Sequence, residues 1–317
     1  MRRLSSRFSI RATTGLIALG TVFAAYAQFR SDTRLVVLHA SVTDKRGKLL
    51  TNLGEGAFKV FENGQPQQVK LFRREDVPVS LGIIIDDSGS MMTKRARVEA
   101  AALDLVRESN PQDEVFIVNF NDEAFLDVPF TNDIRKMEQG LARIDSRGGT
   151  AMRDAVSMSL DYIRDKGKKD KKVLLVITDG ADNASNITLE KVVARANQGE
   201  TLIYAIGLFT EEERHEAVKA KRALNELTAA TGGLSFYPKD VSEVQELAGE
   251  IARDIRNQYT IAYTPAIQAL DGSYRQIKVT VDAPGKPTVR TRSGYYATEG
   301  KAALTLPAKE TFTASAR

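Results

Sequence analysis

The sequence predicts an α/β fold with a doubly wound, mostly parallel sheet, inserted between N- and C-terminal β segments that form a small β domain. Two observations carry this prediction. Short apolar runs alternate with longer amphipathic segments from about residue 79 to 258, and strand-and-turn patterns occupy both flanks. The chain has 317 residues, of which 42% are hydrophobic and 27% charged, which is ordinary for a globular protein with one large and one smaller domain.

Four nearly unbroken apolar runs predict the central strands, because strands covered by helices on both faces have no polar side. These runs are Leu81–Ile85, Val115–Phe120, Val173–Ile177 and Leu202–Leu208. Apolar residues at helical spacing predict helices around residues 98–106 and 224–230. Helix starts are expected at Thr210 and Asp240, each followed three positions later by Glu, and Gly232-Gly233 is expected to end a helix.

Both flanks have the pattern of short antiparallel strands. The N-terminal runs are Leu35–Val42, Phe58–Phe61 and Val69–Phe72, and the C-terminal runs are Tyr259–Tyr263, Gln276–Val281 and Thr288–Thr291. Glu62-Asn63-Gly64 predicts a hairpin between the second and third N-terminal runs. Each flank alone has too few strands for a stable sheet, so we expect the two flanks to pair.

The first 27 residues have the pattern of a secretory signal peptide. Four arginines precede the apolar stretch Gly15–Ala25, and the triplet Ala25-Tyr26-Ala27 predicts cleavage after Ala27. The stretch is shorter than the roughly 20 residues that a membrane-spanning helix needs, so an uncleaved anchor is the weaker alternative. We expect a secreted protein, or one of the periplasm or cell envelope, with no stable membrane span after cleavage.

These patterns together give the expected domain limits. Residues 1–27 form the signal, 28–76 the N-terminal β segment, 77–258 the α/β domain, 259–298 the C-terminal β segment and 299–317 a disordered tail.

The charge distribution and the residue types restrict the partners. Four of the 45 Lys and Arg residues and none of the 41 Asp and Glu residues lie in the signal, so the rest of the chain is electrically balanced. This gives no electrostatic case for nucleic acid or anionic lipid. The basic run Lys166–Lys172 is expected to be a solvated loop. With no Cys and two His, a zinc site built on those ligands is disfavoured, and a hard cation bound by oxygen is expected.

Polar side chains that suit such a cation stand where two predicted strands end. Asp86, Ser88 and Ser90 follow the first central run, Asp179 follows the third, and Thr150 follows two glycines. Ligands of open α/β sheets bind outside the carboxyl ends of the parallel strands, so these segments are expected to face one crevice. Few carboxylates with several neutral oxygens suit Mg²⁺, with Mn²⁺ and Ca²⁺ as alternatives.

The pattern Asp-x-Ser-x-Ser, then Thr, then Asp resembles the metal-ion-dependent adhesion site (MIDAS) of the von Willebrand factor A (VWA) domain. All five positions are filled, by Asp86, Ser88, Ser90, Thr150 and Asp179. The flanking segments Phe58–Gly64, Asp271–Ile277 and Arg292–Tyr296 resemble bacterial VWFA-related proteins. The resemblance implies a Rossmann-like VWA fold, a bound Mg²⁺, and a protein partner whose Asp or Glu carboxylate completes the metal shell. In adhesion-type A domains the matching Thr joins that shell in the ligand-competent state.

Two alternative functions remain open. A metal-dependent hydrolase or phosphatase is disfavoured, because Ser88 stands where a two-Asp phosphoryl-transfer site would want an acid and only His39 and His215 could serve as a base. We therefore expect no enzymatic activity and no catalytic residues. The other alternative is a structural envelope protein whose metal only stabilises loops. The resemblance does not assign the nearby acids as direct ligands; these are Asp87, Asp154 and Asp182.

Overall fold

The computed structural model describes residues 35–74, 76–108, 110–141, 147–209 and 214–298. The predicted signal, the predicted tail and the expected helix start at Thr210 lie outside these residues. Within the described ranges, no helix is both long and apolar enough to cross a bilayer.

Four strands precede the α/β part of the chain. They are β1 (Val36–Thr43), β2 (Phe58–Glu62), β3 (Gln65–Gln67) and β4 (Val69–Arg73). A six-stranded sheet follows, with strands β5 (Val79–Asp86), β6 (Glu114–Phe120), β7 (Ala124–Thr131), β8 (Lys171–Thr178), β9 (Thr201–Gly207) and β10 (Ser235–Phe236). Its order is β10-β9-β8-β5-β6-β7, and all neighbours are parallel except the antiparallel edge strand β7. The carboxyl ends of β5 and β8 therefore lie side by side.

Helices cover both faces of this sheet. They are α1 (Arg95–Arg107), α2 (Ile134–Leu141), α3 (Met152–Lys166), α4 (Leu189–Gln198), α5 (Arg214–Thr231) and α6 (Val244–Arg256). On one face Ile83 packs in a core with α1, α2 and α6, and on the other Ile84 packs with α3, α4 and α5. All eight residues of β5 are buried, which explains its unbroken apolar run.

Two of the expected helix boundaries are confirmed. Asp240 accepts a hydrogen bond from the backbone N–H of Ser242 at 2.7 Å, and a 3₁₀ turn at Val241–Glu243 leads into α6. Glu243 accepts in turn from the N–H of Lys239 at 3.2 Å. Helix α5 ends at Thr231, and Gly232 follows with φ of +88°, a left-handed conformation that favours glycine.

The two flanks pair with each other, as the predicted fold class requires. The C-terminal strands are β11 (Tyr259–Tyr263), β12 (Tyr274–Val281), β13 (Thr288–Arg290) and β14 (Gly294–Tyr296). They form two antiparallel sheets with the N-terminal strands, of order β13-β1-β11-β4 and β14-β12-β2-β3. Both sheets contribute to one core, in which Leu38, Phe58, Tyr259 and Ile277 are buried.

The predicted hairpin has a different second strand. Asn63 and Gly64, both with positive φ, join β2 to the short β3, and β4 pairs instead with β11 in the other sheet. The prediction that Phe58–Phe61 and Val69–Phe72 form the hairpin is therefore wrong. Asn63 and Gly64 favour the tight turn after β2. The strand that pairs with β2 after this turn is the three-residue β3, and the chain then continues into the other sheet as β4.

The basic run Lys166–Lys172 is not a solvated loop throughout. Lys171 is the first residue of β8 and is 3% exposed. Its ammonium donates to the backbone carbonyl of Ile255. The central strand begins two residues before its apolar run, so the last lysines of the run enter the sheet.

Candidate metal centre

Asp86 ends β5 and is held in place at both carboxylate oxygens. Its Oδ1 accepts from the backbone N–H of Ser88 at 2.9 Å, which turns the chain, and its Oδ2 accepts from Thr178 Oγ1 at 2.5 Å. Asp86 is 1% exposed, and burial raises its pKa to about 6 despite the stabilising hydrogen bonds from Thr178 and Ser88. A cation beside this carboxylate would favour its charged form.

Asp179 follows the neighbouring strand β8 and joins the serines of the first loop. Ser90 Oγ donates to Asp179 Oδ1 at 2.7 Å, and the hydroxyl oxygens of Ser88 and Ser90 are 3.1 Å apart. Ser88 and Asp179 are buried whereas Ser90 is exposed. The cluster therefore reaches the protein surface at its Ser90 side.

Thr150 is brought to the same loops by the segment that precedes α3. Its backbone N–H donates to Asn183 Oδ1 at 2.9 Å, and its carbonyl accepts from the N–H of Asn183 at 3.1 Å. A β carbon at Gly180 would lie 3.2 Å from Thr150 Oγ1, so this hydroxyl adjoins the residue after Asp179. All five candidate residues thus gather at the carboxyl end of the sheet.

The donor set fits a hard divalent cation. Two carboxylates and three hydroxyls offer only oxygen, and these five donors together carry two negative charges when both acids are ionised. Among the described residues, no three His, Cys, Asp or Glu side chains are grouped so that they could hold a metal ion. Metal binding at this place would therefore depend on the hydroxyls of Ser88, Ser90 and Thr150.

Lys94 also belongs to this site, and its role was not predicted from the sequence. Its ammonium forms an ion pair with Asp179 Oδ2; the two side chains are 16% and 0% exposed. Lys94 lies four residues after Ser90, just before α1. That spacing was the only signal in the sequence, and a lysine near a loop is too common for the spacing to single it out.

The other nearby acids bind protein groups. Asp87 accepts from Arg95 Nη1 at 2.8 Å. Asp182 accepts from Arg153, through both the backbone N–H and the guanidinium. Asp154 accepts from backbone N–H groups of the loop between β8 and α4. The contacts of Asp182 and Asp154 join the start of α3 to the loop after β8, and the contact of Asp87 joins the first loop to α1.

Comparisons with known proteins agree with this architecture. The model of the von Willebrand factor type A domain family matches residues 81–181, from β5 to the loop after β8, and so includes all five candidate residues. An uncharacterized protein of Borreliella burgdorferi is 24% identical over 213 residues, which are 63% of this chain and 61% of that protein. The chain thus matches about three fifths of that relative's length.

Two solved structures share the fold. One is a von Willebrand factor type A protein from Catenulispora acidiphila, with 13% identity over 86% of this chain and 74% of that chain and a TM-score of 0.51. The other is proximal thread matrix protein 1 from the mussel byssus with a zinc-occupied MIDAS motif. It has 14% identity over 62% of this chain and 50% of that chain, with a TM-score of 0.50. The family match over residues 81–181 and the doubly wound sheet that contains them show that this chain contains a von Willebrand factor type A domain.

Proposed function

We propose that this chain is an exported, non-enzymatic protein that binds a protein partner through Mg²⁺, with an Asp or Glu carboxylate of the partner completing the metal shell. The proposed metal ligands are Asp86, Ser88, Ser90, Thr150 and Asp179. The observation that carries the proposal is the cluster of Ser88, Ser90 and Asp179, linked by hydroxyl contacts of 2.7 and 3.1 Å beside Asp86.

The charge balance of the cluster favours an anionic partner. Asp86 and Asp179 supply two negative charges, Lys94 supplies one positive charge and the three hydroxyls are neutral, so bound Mg²⁺ would leave the cluster with a net positive charge. Mg²⁺ bound here would act as a Lewis acid toward an external oxygen. Because Ser90 is exposed, such an oxygen could approach from the surface.

Exposed apolar side chains near the cluster support a protein as partner. Met92, two residues after Ser90, is 67% exposed, and Phe125 is 46% exposed. Phe125 pairs with Asn119 near the carboxyl end of β6, so it lies toward the same end of the sheet. Large exposed apolar residues around a polar centre are typical of protein interfaces.

The positions of the two histidines favour binding over hydrolysis. His39 lies in β1, in the β segments, where its Nδ1 contacts Thr260 Oγ1. His215 lies in α5 with its side chain 86% exposed and 3.8 Å from Glu216. Neither contacts a proposed metal ligand, so the site has no histidine base to activate a serine or a water.

The sequence supports the location and organisation that we propose. From the signal pattern we propose that the protein is cleaved after Ala27 and acts outside the cytoplasm, in the envelope, the periplasm or the medium. We propose domain limits of 28–76, 77–258 and 259–298, with 299–317 as a tail. The zinc-occupied MIDAS motif of the byssus protein supports metal binding by such a motif; we propose Mg²⁺ for this chain because all five donors are oxygen.

Capture from envelope extract tests the function. Wild type, Asp179→Ala and the control Asp282→Ala, which replaces an exposed Asp in the β segments, are each used as bait in Mg²⁺ and in EDTA. We expect the same partner with wild type and the control in Mg²⁺ only, and none with Asp179→Ala. Replacing the partner's contacting acid by its amide should then abolish capture.

Two outcomes would overturn the proposal. Capture that survives both EDTA and Asp179→Ala would show that the partner is not bridged by metal. Magnesium-dependent phosphatase or esterase turnover by the purified chain, lost in Asp179→Ala, would favour an enzyme instead.

A further inference from the structure

A cleft lies at the opposite end of the six-stranded sheet from the candidate metal centre. Lys171 and Thr201, the first residues of β8 and β9, line one side of it. The sheet that contains β1, β11 and β4 lines the other. The volume of the cleft is about 710 Å³, which is in the range of pockets for small organic ligands.

The sheet wall of the cleft has an apolar row next to a polar row. In the first row Val37 of β1 and Leu71 of β4 flank the buried Ala262. The next row contains His39, Thr260 and Arg73, from the same three strands. Residues two apart on a strand share a face, so both rows border the cleft. This wall therefore suits a ligand with an apolar part beside a polar part.

The remainder of the lining carries an excess of positive charge. The acids Asp161, Asp165 and Glu200 pair with arginines of the same lining. Apart from the buried Lys171, four cations of the lining form no ion pair with any described residue, namely Arg73, Lys168, Lys169 and Lys172. Asp170 is the one lining acid within the described ranges that likewise has no such pair. The net field in the cleft therefore attracts anions.

Two further cations of the lining are buried. Arg292 is 7% exposed; its Nη2 donates to Glu200 at 3.2 Å, whereas Nε and Nη1 have no hydrogen-bond partner among the described residues. Lys171 is 3% exposed. Burial, followed by the positive charges of Lys171 and Arg292, lowers the pKa of His39 well below its usual value. Buried guanidinium N–H groups without acceptors cost free energy, which an oxyanion nearby would offset.

We propose that this cleft binds an amphiphilic anion, whose carboxylate or phosphate head lies among Arg292, Lys171 and Arg73 and whose apolar body lies against Val37 and Leu71. This site is separate from the proposed function at the metal centre. Its ligand is recognised by a fixed set of cations and an apolar row, and binding requires no metal.

The test is calorimetric titration of the full chain with octanoate, octyl phosphate and octanol, all in EDTA so that no metal can hold the head group. We expect one saturable site for at least one of the anions, and at least about tenfold weaker binding of octanol, because octanol cannot form charged hydrogen bonds with the cations of the cleft. The anion that binds more tightly identifies the head group. Equal affinity for octanol, or no saturable binding of either anion, would overturn the proposal.

Variants locate the site. Arg73→Gln changes an exposed cation of the cleft, and Arg135→Gln is the matched control on α2, outside the cleft. We expect Arg73→Gln to weaken anion binding about fivefold without changing octanol binding, and Arg135→Gln to bind as wild type. Arg292→Met should lose more affinity, provided that its circular dichroism spectrum is that of wild type. If Arg292→Met does not fold, Arg73→Gln decides alone; wild-type anion affinity in Arg73→Gln would contradict the proposal.

Discussion

Lys94 and Asp179 form an ion pair at the carboxyl end of the six-stranded sheet, on a carboxylate that Ser90 also contacts. The Asp179 side chain is fully buried and Lys94 is largely so. The ammonium and a divalent cation would both be attracted to the same carboxylate. Lys94 is therefore positioned to compete with the metal.

The first prediction is that Lys94→Met raises Mg²⁺ affinity about tenfold, because a positive charge adjacent to the dication is removed. The same variant should be less stable in EDTA by roughly 3 kcal/mol, since Asp179 then loses the cation that pairs with it. Calorimetry and urea unfolding measure the two effects. Lys278→Met, at an exposed position of β12, is the control. Unchanged or weaker Mg²⁺ binding in Lys94→Met would refute competition.

The second prediction separates metal binding from partner binding. Thr150→Ala should retain appreciable Mg²⁺ affinity, because the carboxylates of Asp86 and Asp179 remain, but it should lose capture of the partner. This follows from the resemblance to adhesion-type A domains, and Thr150→Ser should restore capture because it keeps the hydroxyl. Parallel calorimetry and capture in Mg²⁺ measure both properties. Full capture by Thr150→Ala would exclude this role for the hydroxyl.

The third prediction concerns pH and Lys171. Burial lowers its pKa from 10.5 to about 8 in the folded protein. Between these two values the unfolded chain binds the proton and the folded chain does not, so Lys171 makes stability rise with pH in this window. The free energy of unfolding of wild type minus that of Lys171→Met should increase by about 3 kcal/mol from pH 8 to 10.5. Urea unfolding across this range measures it, with Lys172→Met as reference. A difference that stays flat would contradict a lowered pKa.

The fourth prediction concerns a contact between the two flanks. Glu62 Oε2 accepts from the hydroxyls of Tyr263 at 2.7 Å and Tyr295 at 3.0 Å, and all three residues are buried. Glu62→Leu removes the acceptor from both phenols and should destabilise the protein by roughly 3 kcal/mol. Glu62→Gln, which keeps an acceptor oxygen, should cost less. If the two variants unfold at the same urea concentration, these hydrogen bonds do not hold the flanks together.

Most of the fold could be predicted because the sequence pattern of each strand and helix agrees with the way that element is buried in the folded protein. Strand β5 is apolar at nearly every position since helices cover both of its faces. The predicted pairing of the two strands of the hairpin was wrong, because Asn63-Gly64 favours a turn but does not determine how long the following strand is. Lys171 was wrongly predicted to lie in a solvated loop, because a pattern of charged residues does not show where a central strand begins.

The candidate site likewise contains residues that could be predicted from the sequence and one that could not. The spacing of Asp86, Ser88 and Ser90, with Thr150 and Asp179, can be recognised from the sequence alone, and the structure brings these residues together. Lys94 could not be recognised, because its role depends on the side-chain path from the start of α1 to Asp179. The cleft could not be recognised from the sequence either, because its walls come from parts of the chain as distant as Val37 and Arg292.

Direct titration of Mg²⁺ into the purified chain tests whether these residues hold a divalent metal. Wild type, Asp86→Ala, Asp179→Ala and the control Asp282→Ala are compared by calorimetry, with Mn²⁺, Ca²⁺ and Zn²⁺ titrated in parallel. We expect one site in wild type and in Asp282→Ala, and a loss of at least about tenfold in affinity in each of the other two variants, because each loses half of the negative charge at the site. No binding of any of these ions to wild type, or equal binding to Asp179→Ala, would show that these residues do not hold a metal.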